Sequence, residues 1–135
     1  MQNFKFKPLP LSCSDFSLLR QSGMIYVDKS DLICRLCSRI NAQIFLSRPR
    51  RFGKSLLVST FESLFKYGLR DFQGLHIEKL WQDTNTYRVV RLDFTEAREF
   101  SDLSGFKTLL LSLLDRRFSS VGFNYDSNGK GFADK

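Results

Sequence analysis

The sequence predicts an α/β fold, a parallel sheet with flanking helices. Apolar residues recur at helical spacing in three stretches, two short apolar runs rich in β-formers stand apart from them, and the two kinds of segment alternate along the chain. Such alternation implies parallel strands joined by helical crossovers. With 135 residues the chain is long enough for one compact domain. Two strands are few for a sheet that needs cover on both faces, so the expected fold is incomplete, as in a truncated domain.

Residues 1–13 read as an extended lead-in, because Pro8 and Pro10 disfavour helix. Asp15 to Gln21 suits a short helix closed by Gly23, and Ile25, Tyr26 and Val27 form a brief β-prone patch. Ser30 is a candidate cap for a helix carrying Leu32, Ile33, Leu36, Cys37 and Ile40 on one face, with Asn41 as its stop. Gln43 to Ser47 reads as a buried strand. A loop punctuated by Pro49 and Gly53 follows, then a helix from Lys54 to Tyr67 with Leu57, Phe61, Leu64 and Phe65 on one face and Gly68 as its end. Residues 70–86 are irregular in pattern, and Tyr87 to Phe94 reads as the second strand. The last helix runs from Asp102 to Phe118, with Leu103, Phe106, Leu110, Leu113 and Leu114 facing one way. From Ser119 on, glycine, asparagine and aspartate mark a loop or a frayed end. The domain reading is therefore a lead-in at 1–13, an α/β portion at 14–118 and a tail at 119–135.

Composition narrows the function classes. The 14 Phe residues are core or interface material and argue against disorder. No run approaches the length of a membrane span, and Met1 to Leu11 lacks the apolar stretch of a secretory signal, so the expected compartment is cytoplasmic, with no membrane partner. Cys13, Cys34 and Cys37 make an odd set that argues against a disulfide framework. The pair Cys34 and Cys37 lacks two further zinc ligands, since His76 is the sole histidine. Both cysteines read as inert. The net charge of +7 suits a polyanionic partner, either nucleotide phosphates or nucleic acid.

The run Arg48-Pro49-Arg50-Arg51-Phe52-Gly53-Lys54-Ser55 carries the chemistry. It stands between an expected strand and an expected helix, where a phosphate-binding loop of the form G-x-x-x-x-G-K-[ST] belongs. A helix start offers unpaired N–H groups and a partial positive charge to an anion. Gly53 permits close backbone approach. Lys54 is expected to reach the β- and γ-phosphates of ATP, and Ser55 to offer its hydroxyl to Mg²⁺. Arg50, Arg51 and Phe52 supply the backbone cradle, and the arginines add charge-assisted contacts. The first glycine of the pattern is replaced by Arg48, and Pro49 stiffens the turn. The fold expected around this loop is P-loop NTPase-like.

The run from Leu46 to Leu56 resembles the signature of the predicted AAA-ATPase-like family, bacterial P-loop proteins that often carry a nuclease-like C-terminal region. Its loop reads R-P-R-R-F-G-K-S, so the resemblance makes the absent first glycine a family trait. Tyr26-Val27-Asp28-Lys29-Ser30, Phe72-Gln73-Gly74-Leu75 and Val89-Val90-Arg91-Leu92-Asp93-Phe94 resemble further family segments, and together the similarity covers most of residues 15–118. Asp93 mimics a Walker B carboxylate. It lies 38 residues after Ser55, however, whereas the family's Walker B strand lies later and reads like L-I-D-E-Y-D, a segment absent before Lys135. Asp93 therefore reads as the end of the second strand with a structural or substrate-facing role, Glu96 as a weak catalytic candidate, and hydrolysis as doubtful. Asp28 and Lys29 read either as neighbours of the nucleotide or as an ion pair at a helix start, and His76 and Trp81 as structural residues. The competing expectations are a nucleic-acid-binding module with a basic loop, and a nonfunctional truncated remnant.

Overall fold

In the computed structural model, residues 6–38, 43–97, 102–125 and 132–134 are described, the side chains of 96, 97, 124, 125 and 132–134 excepted. The chain divides into two units, Met1–Tyr87 and Arg88–Lys135.

The first unit is built around three helices. Helix α1 spans Phe16–Gln21, and Asp15 caps it by accepting a hydrogen bond from the Leu18 amide at 2.8 Å. Helix α2 spans Ser30–Cys37. Capping falls to Asp28 rather than to Ser30, because the Ser30 amide donates to Asp28 Oδ1 at 2.9 Å and the Ser30 hydroxyl is turned inward to accept from the Ile77 amide at 3.0 Å. Ile40 and Asn41, expected at the end of this helix, lie outside the described residues. Helix α3 spans Lys54–Tyr67 and stops at Gly68, whose φ of 63° and ψ of −140° suit glycine. Two 3₁₀ turns, Gly68–Asp71 and His76–Lys79, fold back beneath it.

The core of this unit joins Phe16, Ile33, Leu64, Phe72, Leu75 and Ile77, with Tyr26, Leu57, Phe61 and Trp81 packed around them. Phe16 meets Phe72 at 4.7 Å between ring centroids and Tyr26 at 5.3 Å. Burying each large apolar side chain contributes about 1.5–3 kcal/mol. The face of α3 that packs on α1 is not the apolar stripe alone. Ser59, Thr60 and Ser63 are buried there with Leu64, while Leu57, Phe61 and Phe65 are half-buried. Small side chains let the two helices approach, and each hydroxyl has a partner. Ser59 Oγ accepts from the Phe16 amide at 2.9 Å, Thr60 donates to the Leu56 carbonyl at 2.8 Å, and Ser63 donates to Asp71 at 2.8 Å.

The second unit holds a 3₁₀ turn at Phe94–Ala97, helix α4 at Leu103–Ser120, and strands β1 (Phe123–Tyr125) and β2 (Phe132–Asp134). Asp102 caps α4 by accepting from the Gly105 amide at 2.7 Å. Strands β1 and β2 pair antiparallel, with Asn124 opposite Ala133. Leu113 is the buried residue of the expected α4 stripe, whereas Leu103 is 69% exposed.

The expected parallel sheet is overturned. Among the described residues the strands are β1 and β2, an antiparallel pair, and neither 43–47 nor 87–94 pairs as a strand. A strand exists only where a neighbour supplies a ladder of hydrogen bonds, and an apolar run does not specify that neighbour. Phe45, at the centre of the first run, is 92% exposed. The second run begins by serving a helix: the Tyr87 amide donates to the Phe65 carbonyl at 2.7 Å, one of the last-turn acceptors that α3 leaves without an internal partner. The helices were legible because their periodicity is a property of one segment. The sheet was not, because it is a property of pairs.

Candidate functional site

The loop 48–53 meets α3 through two left-handed residues. Arg51 has φ 67° and Gly53 has φ 73°, and Phe52 between them is not at positive φ. Alternation of this kind curves the backbone into a concavity suited to an anion. Gly53 is the N-cap of α3 and brings no side chain to the first turn, while its carbonyl accepts from the Leu57 amide at 2.9 Å. The partial positive charge of the helix start is thus left without a capping side chain.

The Lys54 ammonium reaches back across the loop. It donates to the Arg48 carbonyl at 2.5 Å and to the Pro49 carbonyl at 2.9 Å, closing the turn that Pro49 stiffens. Arg50, Arg51, Gly53, Lys54 and Ser55 line one open cavity of about 660 Å³, and no acidic residue is among its lining. Phe52 goes elsewhere. Its ring, 62% exposed, borders an apolar cavity of about 400 Å³ together with Tyr26, Leu32, Ile33 and Arg48. The polar cavity is also lined by Pro10, Ser12, Cys13 and Ser14, at and just after the end of the segment expected to be a mere lead-in. Proline and small polar residues in a row carry no periodic signal, which is why sequence reasoning missed them.

Asp28, Trp81, Cys37 and Asp93 have structural places. Asp28 joins two elements, taking the Ser30 amide on Oδ1 and the His76 amide on Oδ2 at 2.8 Å, with His76 Nδ1 at 3.4 Å. Partial burial pushes its carboxyl up, but the hydrogen bonds from Ser30 and His76 outweigh that and hold it below the ordinary range. The two family-like segments at 26–30 and 72–75 therefore meet as a brace, with Phe16 packed between Tyr26 and Phe72. Trp81 packs edge-on against Phe65 at 6.0 Å. Burial, aided by the neighbouring Cys34, pushes the Cys37 thiol up to about 11. Asp93 belongs to the second unit, where it accepts from the Thr95 amide at 2.9 Å and the Thr95 hydroxyl at 2.7 Å and so caps the 3₁₀ turn. The side chain of Glu96 lies outside those described. Among the described residues no group of three or more His, Cys, Asp or Glu side chains is placed to hold a metal ion, and no helix is long and apolar enough to cross a membrane.

Residues 10–133 match the family described as Predicted AAA-ATPase. The chain belongs to this family. Another protein similar to it, an uncharacterized protein in the vnfD 5' region of Azotobacter chroococcum mcd 1, is 34% identical over 110 residues, which covers 79% of this chain. The chain spans 21% of the length of that relative. No solved structure matches. In this member of the predicted AAA-ATPase family, the loop 48–55 opens onto a cation-lined cavity, whereas the segments at 26–30 and 72–75 give Tyr26, Phe72 and Leu75 to the core of the first unit.

Proposed function

We propose that this chain binds a nucleoside triphosphate, with ATP as the working ligand, through the variant Walker A loop Arg48–Ser55. One observation carries the reading: two left-handed residues, Arg51 and Gly53, deliver an α3 without a capping side chain to a cavity lined by Arg50, Arg51 and Lys54. The donor set fits a phosphate chain and disfavours a cation. The Lys54 ammonium exchanges the neutral carbonyls of Arg48 and Pro49 for anionic phosphate oxygens, which are stronger acceptors. The backbone of 50–53 and the first turn of α3 surround the phosphates. The Ser55 hydroxyl would hold the Mg²⁺ that accompanies the nucleotide, and the ion would offset the charge of the phosphates, since it binds through few protein ligands plus substrate phosphates. None of the side chains lining the cavity is a carboxylate.

Isothermal titration of ATP with Mg²⁺ into the purified chain, with Lys54→Ala beside it, tests this. The expected result is saturable binding, weakened about tenfold to a hundredfold in the variant, the range for losing charge-assisted hydrogen bonds. A folded wild type that takes up no nucleotide overturns the proposal. Binding of single-stranded nucleic acid in its place, falling steeply with added salt, would assign the basic loop to a phosphate backbone instead.

A further inference from the structure

We infer that residues Pro10–Ser14 form the second wall of the phosphate site, and that the Ser12 and Ser14 hydroxyls bind the phosphate chain from the side facing Arg50–Ser55. This rests on the nucleotide reading and deepens it. Among the described residues, the non-glycine residues held at positive φ are Ser12, at 59°, and Arg51, at 67°. Both line the same cavity, one from each wall. Sparsely populated backbone conformations persist only where the surroundings impose them, and they cluster at ligand clamps.

The surroundings of the wall are firm. The Ile25 amide donates to the Pro8 carbonyl at 2.9 Å, and the Leu11 amide to the Leu9 carbonyl at 2.9 Å. On the far side Cys13 Sγ donates to the Asp15 carbonyl at 3.4 Å, Asp15 caps α1, and the Phe16 amide donates to Ser59 on α3. The wall is thereby tied to the helix whose first turn forms the other side of the cavity. A polyphosphate chain bears oxygens all round and accepts from both sides, from cations on one and hydroxyls on the other.

The test titrates Mg²⁺-ATP and, separately, Mg²⁺ with inorganic triphosphate into wild type, the double variant Ser12→Ala/Ser14→Ala, and Lys54→Ala. The double variant is expected to weaken both ligands alike, by about tenfold for each lost hydrogen bond to an anionic oxygen. Unchanged affinity in the double variant, with Lys54→Ala impaired, sinks this inference and leaves the loop reading standing. A loss confined to ATP also sinks it, since the wall would then serve the nucleoside. Failure of folded wild type to bind either ligand sinks the loop reading itself. Cys13 gives an independent readout on unaltered protein. Its alkylation by iodoacetamide, followed by the mass of its peptide, should slow when Mg²⁺-ATP saturates the chain, and an unchanged rate at saturation overturns the inference.

Discussion

Along its middle turns, α3 turns Ser59, Thr60 and Ser63 inward, and each hydroxyl finds a partner inside the protein. Asp71 completes that region. Its carboxylate takes the Arg70 guanidinium at 2.9 Å, Ser17 at 2.6 Å and Ser63 at 2.8 Å. At its first turn the same helix brings no capping side chain, and the charged groups of 50–54 face an open cavity. Polar groups satisfied within the protein hold it together, and polar groups left facing outward are available to a ligand. Substitutions in the two regions should therefore separate stability from binding.

The largest effect is expected at the buried end. Phe72 is fully buried against Phe16, so Phe72→Ala leaves a large void and should cost about 3–5 kcal/mol in denaturant unfolding. The comparison breaks if this variant stays as stable as wild type, because the contacts around Phe72 would then not be what holds α3.

Asp71 comes next. The Arg70 guanidinium beside it, with Ser17 and Ser63, outweighs burial and holds its carboxyl down at about 2, from an ordinary 3.8. A folded pKa below the unfolded one means that the ionised form favours folding. The contribution is complete above the unfolded value and disappears as pH falls from about 4 through about 2. Asp71→Asn should cost about 2 kcal/mol at neutral pH, somewhat less where solvent screens the half-exposed Arg70, and should flatten the acid limb of stability against pH. A variant that keeps the wild-type acid limb would show that another carboxylate governs it.

How much of this was legible in the sequence follows from what each feature depends on. The bounds of α3 were readable because Gly53 and Gly68 punctuate it and Leu57, Phe61 and Leu64 repeat at helical spacing. The loop was readable because Gly53-Lys54-Ser55 is a contiguous chemical pattern. The buried face was half readable. Ser59, Thr60 and Ser63 also share a helical face, but small polar residues signal burial only once a partner helix is known to cover them. The role of Asp28 hid for the same reason, since its partner His76 lies 48 positions away. The sheet failed because the exposed Phe45 and the helix-serving Tyr87 depend on neighbours that no local pattern names.

The smallest effects compare the two glycines that bound α3. An added Cβ meets no heavy atom within 4 Å at either Gly53 or Gly68, so alanine there costs backbone strain and not a clash. Both positions have positive φ, 73° and 63°, and each substitution should lower stability by about 1–2 kcal/mol. Their consequences for binding should differ. Gly68 follows the satisfied end of the helix, so Gly68→Ala should leave the affinity of the folded protein for Mg²⁺-ATP unchanged. Gly53 sets the turn between Arg51 and Lys54, so Gly53→Ala should weaken binding well beyond any fraction unfolded. Titration calorimetry on both variants, held at a temperature where each is folded, reads the difference. Equal loss of affinity in the two would mean that the first turn of α3 has no special part in holding the ligand, and the contrast between the ends of this helix would then be one of packing alone.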